Sequence, residues 1–381
     1  MMPVAQETII KMNGSFIKAT VMIKILFILL SFLQPEDPWI GEIREIASSM
    51  EKAESIVSEN ITWTTKFERQ LEVLDENIPG NIGVYIKNLN DGHELNYNGS
   101  DYWYLSSAIK IPLAVAVLQK AEDGTISLDD ELVLSETDFV DGAGDLAFQN
   151  PGTRYSIAEL IDKMVRNSDS SATDMLMRLI GEEEFNEQIR NRMVPEGFNP
   201  ITTILQVRYD AYSEVHEKVL ELSNLDIIQV NRIRSRPGRL AKLRELMAVD
   251  ENELKVRSIE EAFERYYRRN LNSATMESVG MLLERLYNGE LLSQEHTEFL
   301  LDIMQGITTG DRRIKAGLPT GFRFAQKTGT QIESAANIGL IFPDNYDKPL
   351  IISVCITNFG DLREAEKAFQ TIGRLIAFTI L

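Results

Sequence analysis

The chain has 381 residues, 44% hydrophobic and 25% charged, enough for one large domain or two modest ones with a sizeable core. The net charge of -19 argues against nucleic acid as a partner, because phosphate binding needs Lys and Arg to displace counterions; a solvated acidic surface accounts for it. Cys355 is the single cysteine, which excludes an intrachain disulfide and a cysteine metal cluster. His93, His216 and His296 form no H-E-x-x-H and no pair with zinc-ligand spacing, so neither a metal nor a cofactor is expected.

Residues 25–33 are an apolar run preceded by Lys18 and Lys24, the length of a signal-peptide core and short for a membrane span. Met22 offers an alternative start, and no small-residue cleavage site follows. Residues 1–34 therefore read as an export signal, either cleaved or kept as a membrane anchor, against the alternative of a cytosolic core helix. The expected location is periplasmic or extracellular. Residues 35–66 read as a charged, helical N-terminal extension, and 67–74 as a helix packed on a sheet.

Alternating apolar runs at 82–86 and 94–97 flank Asn90-Asp91-Gly92, which predicts a β-hairpin. Residues 109–118 are apolar and helical, with Pro112 tolerated only near a helix start. Helical patterns fill the middle. Strands at 338–342 and 350–356 and a helix over 362–378 close the chain, with Cys355 expected as a core thiol. Strands at both ends and helices between predict one antiparallel sheet built from both termini, flanked by helices, with a helical subdomain. Gly142-Ala143-Gly144-Asp145-Leu146-Ala147 matches a dinucleotide-binding pattern, but Pro151-Gly152 leaves no room for the long helix such a site needs, so a glycine loop is expected.

Three short motifs carry the chemistry. Ser107-Ala108-Ile109-Lys110 is S-x-x-K, and only Ser107, not Ser106, has Lys three residues on. That spacing puts amine and hydroxyl on one helix face. The apolar flank Ile109, Ile111, Pro112 and Leu113 favours burial of Lys110, which keeps some of it neutral and able to take the hydroxyl proton. The bland alternative is a surface Ser and a solvated Lys. Ser168-Asp169-Ser170 resembles S-D-N. It reads either as a helix cap or as a proton relay through Ser168, with Asp169 bonding backbone amides. Lys327-Thr328-Gly329-Thr330 precedes the strand at 338–342. Gly329 there permits close backbone approach by a ligand, the cation and hydroxyls suit an anionic substrate end, and the Thr330 N–H can complete an oxyanion hole. The alternative is a hairpin strand with a polar face.

In this order the three motifs are an established signature, and the chain resembles the class A β-lactamase family of active-site serine hydrolases from about residue 67 to the C-terminus. The resemblance extends to the opening hairpin and nucleophile helix, the S-D-N helix with its successor, and Asn288-Gly289-Glu290-Leu291-Leu292 before the K-T-G segment. It implies a β-lactamase-like fold, α/β plus all-α, with residues 67–381 as catalytic domain. It implies Ser107 as nucleophile, Lys110 as its base and Ser168 as proton relay. Ser170, Lys327, Thr328, Gly329 and Thr330 would bind substrate. Arg313, in the run Thr308-Thr309-Gly310-Asp311-Arg312-Arg313-Ile314, would help hold the substrate carboxylate. The implied partner is a small β-lactam or peptidoglycan peptide, attacked by a monomer. Two departures stand out. Ser170 replaces the usual Asn, and no E-x-E-L-N-like run supplies the deacylating Glu; Glu196, Asp210, Glu214 and Glu217 are the candidates. An insertion of charged helical segments spans about 205–269, with Arg232, Arg234, Arg236 and Arg239 around Pro237-Gly238. It reads as a solvated decoration, or alternatively as a lid or a cell-wall polymer contact. The expected activity is exported serine β-lactamase action, with a penicillin-binding-protein-like D,D-peptidase or a non-hydrolytic sensor as alternatives.

Overall fold

The computed structural model describes residues 62–344 and 346–381. The expected leader or anchor at 1–34, and the extension at 35–66 up to residue 61, lie outside the described residues. A compact unit runs Phe67–Leu381. Among the described residues, no helix is long and apolar enough to cross a membrane.

The frame is a five-stranded antiparallel sheet of order β2-β1-β9-β8-β7: β1 (Asn81–Asn88), β2 (Glu94–Tyr97), β7 (Arg323–Gln331), β8 (Ser334–Phe342) and β9 (Leu350–Thr357). Two small ribbons pair β3 (Tyr102–Tyr104) with β6 (Ser273–Thr275) and β4 (Glu131–Val133) with β5 (Arg154–Ser156). Both termini contribute to the sheet, as the strand pattern predicts. β8 and β9 are buried on both faces, which is why they read as near-continuous apolar runs. Alternate residues separate the faces. Ala336, Ile338, Leu340, Ile351 and Cys355 join the core shared with the helices that follow the hairpin. The other face of β8 and β9 meets the C-terminal helix Leu362–Thr379. That helix buries Ala365, Ala368, Phe369, Ile372 and Ile376, an i, i+3, i+4, i+7 stripe. Cys355 is fully buried and burial pushes its thiol up to about 12, so it is a core residue.

Between β2 and β7 lies the helical part. Helix Lys110–Glu122 is apolar almost all round and passes through the core, with Pro112 tolerated in its first turn. Around it pack helices Ile157–Arg166, Ser170–Ile180 and Met276–Tyr287. Residues 204–267 form four helices, Ile204–Ser213, Asn224–Arg232, Arg236–Met247 and Ile259–Tyr267, with a core of their own. Val207, Tyr212, Ile227, Leu243, Phe263 and Tyr266 are buried in it, and it joins the sheet side through Tyr104 and Ile332. Tyr104 packs edge-on to Tyr266, with ring centroids 5.9 Å apart. A solvated decoration would not bury these side chains, so that expectation is corrected: the segment is a packed helical layer.

Candidate active site

The three motifs, up to 223 positions apart in sequence from Ser107 to Thr330, meet in one cleft whose walls include Ser107, Ser168, Ser170, Thr328, Thr330 and Arg313. Its volume is about 460 Å³. Ser107 lies in a single 3₁₀ turn, Ser106–Ile109, that leads into helix Lys110–Glu122. Ser106 enters the turn at φ 50°, a left-handed conformation that costs a non-glycine residue about 1–3 kcal/mol. The strain is held by packing: Ser106 and Ala108 are buried while Ser107 keeps partial exposure to the cleft.

Edge strand β7 lies against this turn, and Gly329 is what lets it. A β-carbon there would overlap Leu105 O and come within 2.9 Å of Ser106 Cβ and 3.1 Å of Ser107 N. The K-T-G segment, read from the sequence as strand just ahead of the one at 338–342, lies inside β7 and pairs with β8, Lys327 to Ile338 and Gly329 to Ala336. An edge strand leaves alternate backbone groups unpaired, which is what backbone recognition of a substrate needs.

Ser168 is the junction of the site. It too is left-handed, at φ 58°, and is buried. Lys110 Nζ donates to Ser168 O at 2.5 Å and to Ser168 Oγ at 3.1 Å, and Lys327 Nζ donates to the same Oγ at 2.9 Å. Both lysines are fully buried. Burial pulls Lys110 down to about 7, with Arg208 adding to the effect and Asp169 and Asp174 opposing it. Burial, then the neighbouring Lys110 and Arg313 cations, hold Lys327 well below the ordinary lysine value. Two buried amines on one hydroxyl disfavour double protonation, so one lysine is readily neutral near pH 7. That is a base and an ammonium on either side of one hydroxyl, the arrangement a proton relay requires.

Asp169 caps helix Ser170–Ile180 through Ala172 N at 2.8 Å and accepts Asp145 N and Leu146 N at 2.7 and 2.9 Å. It fixes the glycine loop that carries the dinucleotide-like pattern; a one-turn 3₁₀ helix, Leu146–Phe148, follows in place of a long helix. Ser170, where the family has Asn, is buried under that loop: a β-carbon at Gly142 would sit 2.5 Å from Ser170 Oγ.

Arg313 reaches β7 from the loop before it. Its Nη1 donates to Gly329 O at 2.8 Å and Ala336 O at 2.5 Å, and its Nη2 to Thr330 Oγ1. It stacks on Phe369, 5.3 Å from the ring centroid, and burial pulls it down to about 10. It therefore braces the strand as well as lining the cleft. Thr330 itself is exposed there. Thr309 Oγ1 hydrogen-bonds Thr328 Oγ1 at 2.6 Å, a contact that sequence reading does not single out.

None of Glu196, Asp210, Glu214 or Glu217 lines the cleft. Asp210 is 3.5 Å from Arg269 and accepts from Gln206 Nε2, while Glu196 and Glu217 are exposed. The wall formed by helix Ile204–Ser213 presents Ile204, Val207 and Arg208 instead. The carboxylates that line the cleft, Asp311 and Glu366, stand with Arg313, and Asp311 is paired to Lys315 at 3.0 Å.

Two buried charges went unread in the sequence. Asp174 accepts Ile204 N and Leu205 N at 2.7 and 2.9 Å and so anchors that helix; burial pushes it up to about 6. Its signal was an Asp in the helix stretch Ala172 to Met177, where only Thr173 is also polar. Arg208 is paired through Nε with both oxygens of Asp141 at 3.0 Å, and nothing in its local sequence marks it.

With this geometry established, the comparisons fit it. The model of the "Beta-lactamase enzyme family" matches residues 66–380, and the chain belongs to that family. A β-lactamase of Proteus vulgaris is 24% identical over 291 residues, 76% of this chain and 86% of that protein. Beta-lactamase VEB-1 of Pseudomonas aeruginosa is 25% identical, over 77% of this chain and 83% of its own. Among solved structures, a β-lactamase from Chitinophaga pinensis has a TM-score of 0.63 at 21% identity, covering 83% of this chain and 100% of that one. A point mutant of PBP-A, in an acyl-enzyme complex with penicillin G, has a TM-score of 0.61 at 21% identity, covering 83% and 96%. The fold is that of class A β-lactamases, and the chain is a serine hydrolase of β-lactamase type.

If Arg313 helps to hold a substrate carboxylate, Arg313→Ala should lower the second-order acylation constant for a penicillin roughly ten- to a hundredfold, the worth of one charge-assisted hydrogen bond. The loss should be much smaller for the methyl ester of the same penicillin. Equal losses for acid and ester would leave Arg313 as a brace on β7 alone.

Proposed function

We propose that this protein opens β-lactam amides through an acyl-enzyme on Ser107 and releases the product slowly. The observation that carries the reading is the convergence of Lys110 and Lys327 on Ser168, in the cleft that Ser107 lines. In the first step neutral Lys110 takes the Ser107 hydroxyl proton as Oγ attacks the carbonyl carbon. The oxyanion is met by backbone N–H groups at the turn and on β7. The proton then passes by way of Ser168 to the departing nitrogen, leaving an ester. Lys327, Thr328, Thr330 and Arg313 hold the carboxylate on the leaving side.

A second reading, a penicillin-binding D,D-peptidase or a sensor that stays acylated, is favoured by the cleft wall at Ile204, Val207 and Arg208, which carries no carboxylate. A PBP-A variant of the same fold forms an acyl-enzyme complex with penicillin G. Intact-mass spectrometry after a pulse of penicillin separates the two: a transient adduct supports hydrolysis, and one that persists for hours supports the sensor. The apolar run at 25–33 supports export, which cell fractionation of the full chain tests.

Acylation should depend on pH in a defined sense. The base works unprotonated, and burial sets Lys110 at about 7, so the rate should rise as pH climbs through about 7. Carboxylate binding needs Lys327 protonated, and its value also lies below the ordinary lysine range, so the rate should fall again on the alkaline side. A bell-shaped profile of the second-order acylation constant is expected; a flat profile between pH 6 and 9 would remove Lys110 as base.

A further inference from the structure

Beside the cleft, across Gly142 and Ala143, lies a second cavity of about 310 Å³ lined by residues of helices Asn224–Arg232 and Arg236–Met247. Gly142, Ala143, Arg208 and Gln331 border both spaces. Gly142, at φ 130°, packs on the Ser170 side chain at this border: a β-carbon there would lie 2.5 Å from Ser170 Oγ and 4.0 Å from Arg208 Nη2.

The lining is cationic, in a chain whose net charge is -19. Arg208, Arg232 and Arg239 face the cavity, against Asp141 and Asp169. Asp169 is occupied by three backbone N–H groups. Asp141 takes both its bonds from Arg208 Nε. Arg239 spends Nε and Nη2 on Ile233 O and Asn231 O, at 2.8 and 3.2 Å. Arg232 lies over Phe148 at 5.8 Å. Arg208 is the informative one. It is only 8% exposed, yet among the described residues its two terminal nitrogens donate to no protein acceptor. Those terminal N–H groups open onto the two cavities that Arg208 lines, where an acceptor on a bound molecule can take the place of water. Its planar fork matches a carboxylate.

We propose that this cavity is a subsite for a second substrate carboxylate, on the acyl side of the scissile amide, with Arg208 as its principal donor. The leaving-side carboxylate has its own cations, Lys327 and Arg313, at β7; the second cavity lies across the Gly142 loop, where the acyl group has room to go. The inference rests on acylation at Ser107 and adds a preference for substrates with two anionic groups, either β-lactams or peptides.

The test compares acylation of the full chain by benzylpenicillin and by its α-carboxy derivative, which differ only in the acyl-side carboxylate. A parallel pair of acyl-D-Ala-D-Ala peptides, with the acyl-side carboxylate free or amidated, shows whether the preference extends to peptides. The wild type should favour the carboxy compound roughly ten- to a hundredfold, as one charge-assisted bond allows. Arg208→Gln should bring the ratio near one. Because that change also strips Asp141 of its partner, Arg232→Gln, at an exposed position, serves as the second variant and should lower the ratio severalfold. A wild-type ratio of one or less for both pairs, or a ratio unmoved by both variants, overturns the subsite while leaving acylation at Ser107 intact. Failure of either penicillin to label Ser107 at all sinks the acylation reading and this inference together.

Discussion

Ser107→Ala is expected to abolish covalent labelling by penicillin and to cut any turnover by a factor on the order of 10⁶, the scale on which serine hydrolases lose rate with their nucleophile. Ser106→Ala should keep labelling. The two serines are adjacent, but the turn Ser106–Ile109 gives them different roles. Ser106 is buried at φ 50°, with an Oγ that has no hydrogen-bond partner among the described residues. Ser107 keeps exposure to the cleft and is the one with Lys110 three residues on. Alanine at 106 retains the β-carbon that packs beside Gly329, so the turn should survive. Labelling with a fluorescent penicillin, read against the melting temperature of each variant, separates loss of chemistry from loss of fold. If folded Ser107→Ala still takes up the label, the nucleophile is another residue.

The second large effect lies in the release step. Water attacking an acyl-serine ester needs a positioned base, and such help is worth typically about 10²–10⁴-fold. Helix Ile204–Ser213, anchored by Asp174, turns Ile204, Val207 and Arg208 to the cleft, while Asp210 faces Arg269 and Gln206. Acylation should therefore outrun hydrolysis. A chromogenic cephalosporin should give a burst of about one equivalent and then a slow steady rate. Ile204 is half-buried on that wall, so Ile204→Glu should speed the steady phase if the missing carboxylate is the cause. Fast turnover with no burst would show that a base is present. Alanine at Asp210, Glu214 and Glu217 would then reveal whether one of them reaches the ester during catalysis.

Much of this was legible in the sequence, for a physical reason. Strands β1, β8 and β9 and the helix Lys110–Glu122 are buried on all sides, so their apolar runs stand out without knowledge of their neighbours. The S-x-x-K spacing is likewise local, since one helical turn sets which side chains share a face. The capping role of Asp169 also follows from its place before a helix. These features depend on residues within a few positions of each other.

What the fold alone decided are the contacts between distant segments. Ser168 is placed to relay a proton only because Lys110 and Lys327, 58 and 159 positions away, both reach its hydroxyl. The apolar flank of Lys110 marks its burial locally, but that Lys327 is buried beside it does not show in any local pattern, and burial lowers both lysines. Gly329 reads as a permissive strand glycine, but its reason is the Ser106–Ser107 turn lying against β7. The segment at about 205–269 reads as a charged decoration because its helices are short and their apolar positions sparse; only together do they bury Tyr212, Phe263 and Tyr266. Arg208 is one more arginine in that segment until Asp141, 67 positions earlier, holds it at the cleft wall. Electrostatics and close approach depend on distance in space, and for pairs this far apart in sequence only the tertiary structure supplies it.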